Sequence, residues 1–218
     1  MGLGLSRLRA ALLAFLVLQA AATPAADVAP VTSREVDRLP HAGEGSHALA
    51  LQALYFPEAG WSPARLAAPL QEALRILGQC GIRAEAVTFH EIAGGDPAWR
   101  DLGLPGSVRL AGELAQHRPA LFFVRDTRRR IAFEAEAFGR GNTRRLPALA
   151  GTVWVTRGAR DLPLVIAHEL AHVLMDSGEH VDEPGNLMRD ETAPGNTALT
   201  PAQCARMREA GKANGWLQ

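Results

Sequence analysis

The chain has 218 residues, and its 23 Lys and Arg are balanced by 23 Asp and Glu. Apolar residues make up 47% and charged ones 21%, which excludes a disordered or low-complexity chain. With no net charge there is no support for nucleic-acid binding by phosphate neutralisation, and none is expected.

Arg7 and Arg9 precede an uncharged, mostly Ala and Leu run over residues 10–22, followed by Ala25-Ala26. A basic start, a short apolar stretch and a small-residue exit predict a signal peptide over 1–26. The run is too short to span a bilayer comfortably. The expectation is therefore a secreted or periplasmic protein with no membrane anchor after cleavage. Residues 27–45 carry Pro30, Pro40, Gly43 and Gly45 among polar residues and read as a mobile leader. One domain is expected over 46–218, a length ample for a core.

The stretch 48–56 reads as a buried strand, although its alanines and leucines leave helix open. Ser62-Pro63 opens a helix to about residue 79, with Leu66, Leu70, Leu74 and Leu77 on one face. Strands are predicted over 82–89, 120–125, 131–138 and 152–156, and a short helix over 108–117. The 131–138 stretch alternates apolar and polar residues, as a half-exposed strand does. Between Arg118 and Arg160 ten arginines face three acids, and these read mainly as solvated loop tips and strand edges. Thr200-Pro201 caps a last helix to about residue 213. The two cysteines, Cys80 and Cys204, are most simply a disulfide in an oxidising compartment.

Chemistry concentrates in residues 164–188. His168-Glu169-Leu170-Ala171-His172 lies in a run without Gly or Pro, so a helix is expected. Residues four apart on a helix sit one turn apart on one side, so His168 and His172 can face one ion. Glu169 is then placed to take a proton from water at that ion, and Zn²⁺ is the default metal for such a nitrogen site. Gly178 is placed to end the helix, His180 follows as a candidate third ligand, and a turn ends in Met188. Asp176 shares the helix face with the two histidines, but three ligands in line along a straight helix converge poorly. Asp182 and Glu183 read as loop charges, and Glu209 and Glu191 carry no supporting motif. His41, His47, His90 and His117 are scattered and read as structural.

In this segment the sequence resembles the metzincin zinc peptidases, most closely the matrix metalloproteinases. The likeness lies in the HExxH helix, a terminating glycine, a third His, and proline four and methionine eight residues beyond it. The spacing departs from the family pattern. Gly178 lies six residues after His172 and His180 eight after it, where the family has three and six. The resemblance implies an α+β, metzincin-like fold: a twisted mixed sheet of about five strands, two long helices, an active-site helix, a Met-turn and a C-terminal helix. It implies His168, His172 and His180 as metal ligands, Glu169 as catalytic base and Met188 as the floor of the site. It also makes 131–138 the edge strand that pairs with an extended substrate. The expected activity is zinc-dependent hydrolysis of peptide bonds in a peptide or protein substrate, by a monomer. The competing expectation is an exported zinc-binding module of the same fold without turnover.

Overall fold

The computed structural model describes residues 29–101, 103–126, 139–190 and 192–218. The expected signal peptide and the strand expected over 131–138 lie outside these residues. The fold is α+β, built on a six-stranded mixed sheet with α-helices around it.

The strands are β1 (Thr32–Ala42), β2 (His47–Tyr55), β3 (Ile82–Ala93), β4 (Ala120–Val124), β5 (Gly139–Asn142) and β6 (Thr152–Thr156). Their order across the sheet is β1-β3-β2-β4-β6-β5. β3, β2, β4 and β6 run parallel, and β1 and β5 pair antiparallel at the two edges of the sheet formed by the described residues. β4 and β6 are buried at every residue, as parallel strands with both faces covered must be.

β1 corrects the expectation of a mobile leader, since most of that stretch is an eleven-residue strand laid along β3. Its residues are almost all exposed, so it carries no alternation of buried and exposed positions to announce it. The pairing also explains why β3 continues to Ala93, beyond the predicted end.

The helices are α1 (Pro63–Gly78), α2 (Leu104–Leu114), α3 (Leu162–Met175) and α4 (Pro201–Ala213). α1 begins as the sequence indicates: Ser62 Oγ accepts from the Arg65 N–H, and Pro63 occupies the first turn. Leu66, Leu70, Leu74 and Leu77 are fully buried, each contributing about 1.5–3 kcal/mol of apolar burial. α2 starts and stops earlier than predicted, because Pro105 seats its first turn. α3 packs against β5 and β6, with α1 and α4 against its flanks. α4 opens with a capping box in which Thr200 and Gln203 satisfy each other's backbone N–H groups.

Cys80 and Cys204 form a disulfide, tying the end of α1 to α4. Beside it, Gln79 donates to the Thr197 carbonyl and accepts from the Leu199 N–H, so the segment leading into α4 is pinned to α1 twice. Among the described residues no helix is long and apolar enough to cross a membrane.

Candidate metal centre

α3 is apolar nearly all round and buried on all sides, which holds its polar residues in fixed directions. His168 and His172 are 4% and 5% exposed on this helix. The helix ends at Met175, and the residue that turns the chain is Asp176, in the left-handed conformation at φ 49°. Gly178, expected to perform that turn, does not adopt positive φ. A non-glycine residue there is uncommon, and Asp is among the few that tolerate it. Asp176 is also clasped: its carboxylate accepts from the Arg144 N–H at 2.7 Å and from Arg144 Nε at 2.8 Å. Partial burial works against its ionisation, but these contacts hold its carboxyl below the usual range. Its side chain is thereby occupied away from the histidines.

After the turn the Ser177 carbonyl accepts from His172 Nδ1 at 2.7 Å, and the chain carries His180 back over the helix. The three Nε2 atoms converge. His168 and His172 are 2.9 Å apart, His172 and His180 3.1 Å, and His168 and His180 3.3 Å. A tetrahedral zinc with nitrogens at about 2.0–2.1 Å separates its ligand atoms by about 3.3 Å. The cluster fits a zinc site, and the three ligand atoms lie within 4.8 Å of one another.

Tautomers follow from the other ring nitrogen of each histidine. His168 Nδ1 lies 2.7 Å from the Leu187 carbonyl, and carbonyls only accept, so Nδ1 carries the proton. The Ser177 carbonyl fixes His172 the same way, and the Asp190 carboxylate stands 3.3 Å from His180 Nδ1. With Nδ1 as the donor, Nε2 is the nitrogen that presents a lone pair in each neutral ring, and the three Nε2 atoms face one another as ligands to one cation would. Burial lowers the pKa of His168, and it pushes His172 down to about 3 with the help of His168 beside it. Neutral imidazoles are the form that ligates metal.

Glu169 lies beneath β5. A β-carbon at Gly139 would come within 2.7 Å of the Glu169 Cγ, and one at Gly141 would collide with the Glu169 carbonyl. At Gly141 the obstacle is backbone, so only glycine fits there, whereas a side chain at Gly139 would force the Glu169 or Val165 side chain to shift. The Gly141 N–H donates to the Glu169 carboxylate. Burial pushes the Glu169 carboxyl up to about 7, against the opposing pull of Gly141 and Arg140.

Met188 is fully buried in a turn whose shape is set by Asn186, which accepts from the Met188 N–H at 2.8 Å and exchanges hydrogen bonds with Gln203 of α4. Glu179 pairs with Arg206, Asp182 pairs with Arg189, and Glu183 bonds Asn186. Glu209 is exposed on α4, and Glu191 lies outside the described residues. His41, His47, His90 and His117 stand apart from the cluster. Two features escaped the sequence reading: β5, whose Gly-Arg-Gly-Asn has no side-chain period, and the clasp of Asp176 by Arg144. A depression of about 420 Å³ opens beside His180, lined by Val181, Asp182, Arg189 and Asp190.

The fold has a solved counterpart. Metalloproteinase-II from Bacteroides fragilis superposes with a TM-score of 0.55 at 16% identity, over 82% of this chain and 57% of that one. The present chain thus spans little more than half of that protein's length. No family model matches the sequence. No curated protein does either. At such identity the likeness establishes a metalloproteinase-like fold, with three histidines arranged so that they could hold a metal ion.

Proposed function

We propose that this protein is an exported zinc-dependent endopeptidase that uses His168, His172 and His180 as metal ligands and Glu169 as general base. The observation that carries the reading is the meeting of three Nε2 atoms at 2.9–3.3 Å, each backed by an acceptor on Nδ1. Zinc bound there would polarise a peptide carbonyl and acidify a water molecule.

The chain's own residues supply the rest. Glu169 follows His168 directly on a rigid, buried helix, beside the residues that would hold the metal, where a carboxylate can both accept and return a proton. It takes the proton of the attacking water and delivers it to the departing amine. Gly139 and Gly141 make room for the carboxylate, and the Gly141 N–H restrains it until substrate arrives. Such an arrangement exceeds what a purely structural metal site needs, which favours turnover over a silent binding module. The disulfide supports an oxidising, extracellular destination, and with it the reading of residues 1–26 as an export signal. A protein or peptide substrate and monomeric action complete the proposal.

The test is hydrolysis of a generic unfolded protein by the zinc-loaded chain. Cleavage that a chelator stops and one equivalent of zinc restores supports the proposal. Stoichiometric zinc with no cleavage of any of a broad peptide set would leave only the binding module.

A further inference from the structure

The loop from His180 to Asp190 closes on itself. Val181 N–H donates to the Met188 carbonyl at 2.9 Å, Arg189 pairs with Asp182 at 3.2 Å, and Asp190 meets His180 Nδ1 at 3.3 Å. The backbone rung from Val181 to Met188 draws the two ends of the loop together, and Asp190 stands at the back of the His180 ring. This matters because His180 is the one clustered histidine outside a helix, and it is exposed where the other two are buried. His168 and His172 take their orienting acceptors from the backbone, at Leu187 and Ser177. His180 alone takes its acceptor from a side chain.

We propose that Asp190 is a positioning residue for the metal centre: its carboxylate accepts the Nδ1 proton of His180, fixes that ring with Nε2 inward, and so completes the third ligand. The inference rests on the metal reading above. An exposed ion pair by itself contributes little, and Asp190 is 88% exposed. The contact gains weight when Nε2 ligates a cation, because the Nδ1–H then becomes a stronger donor to an anionic acceptor. The stretched spacing between His172 and His180 increases the need, since a longer connection constrains the ring less from the helix side.

The experiment is competition for zinc against a chromogenic chelator, with the full chain and Asp190→Ala, Asp190→Glu and Arg189→Ala. Loss of such an orienting partner typically weakens metal binding about 10–100-fold. Asp190→Ala is expected to show at least about a tenfold loss, with metal-free thermal stability equal to the parent. Asp190→Glu restores affinity, because the exposed site has room for the longer side chain. Arg189→Ala opens the neighbouring rung, leaves His180 its acceptor, and binds zinc as the parent does. Parent-like affinity in Asp190→Ala, or an equal loss in Arg189→Ala, overturns the assignment while leaving the three-histidine site intact. A parent chain that binds no zinc removes the metal reading itself, which is a separate result.

Discussion

Replacing Glu169 by Gln should stabilise the metal-free protein, by a margin that grows from about pH 4.5 and is complete above about pH 7. The carboxyl sits under Gly139 and Gly141, where burial moves its pKa from the ordinary 4.5 to about 7. At about 1.4 kcal/mol per tenfold change in acidity, that displacement amounts to about 3 kcal/mol, less the part relieved by water reaching the side chain. The sign follows from proton binding. Between about 4.5 and about 7 the folded chain keeps a proton that the unfolded chain releases, so stability falls as pH rises and the loss is complete above about 7. Glutamine has no charge to desolvate, and its carbonyl can still accept from the Gly141 N–H. His168 and His172, held below the ordinary range by burial, weaken the fold as pH falls, but they do so in both proteins and cancel in the difference. Urea unfolding of chelator-treated parent and variant at about pH 4 and about pH 8 measures it. The variant should match the parent in acid and exceed it by up to about 3 kcal/mol in base. A difference that does not change with pH would refute the burial argument.

Three further outcomes follow. Reduction of the Cys80–Cys204 bond should lower stability by about 2–4 kcal/mol, read by denaturation with and without reductant, since it frees a loop with a sequence separation of 124. Gly141→Ala places a β-carbon against the Glu169 carbonyl and 3.1 Å from His172 Cβ. It should cost about 1–3 kcal/mol in unfolding free energy and reduce any peptidase activity beyond what the stability loss explains. Glu169→Gln should retain one zinc per chain by metal analysis while turnover falls at least about 10²-fold; near-normal turnover would point to another acid.

The α3 helix, the cap at Ser62-Pro63, the Thr200 cap, the two central strands and the disulfide were legible because each has a strong local signature: apolar period, cap chemistry or cysteine count. β1 was not, because an edge strand exposed on both faces has no hydrophobic pattern to show. β5 was hidden for the opposite reason: Gly139 and Gly141 are there to leave space for Glu169 and His172, and spatial need leaves no periodicity. The position of Gly178 predicts a helix that continues past His172 and breaks at that glycine. The chain instead turns at Asp176, four residues past His172, and uses four more to reach His180. Glycine at the turn is dispensable because Arg144, remote in sequence, holds Asp176 in place. No local pattern could reveal that pairing.

The central claim is that His180, and not Asp176, completes a three-histidine zinc site. Zinc affinity of His180→Ala and Asp176→Asn, measured by chelator competition on the full chain, tests it most directly. His180→Ala should lose more than about tenfold in affinity and all hydrolysis, because two helix-borne nitrogens leave the ion open on the side His180 covers. Asp176→Asn should bind zinc like the parent, since asparagine tolerates the same backbone turn and the carboxylate is engaged by Arg144. The reverse pattern, with affinity lost in Asp176→Asn and kept in His180→Ala, would contradict the account at its defining residue.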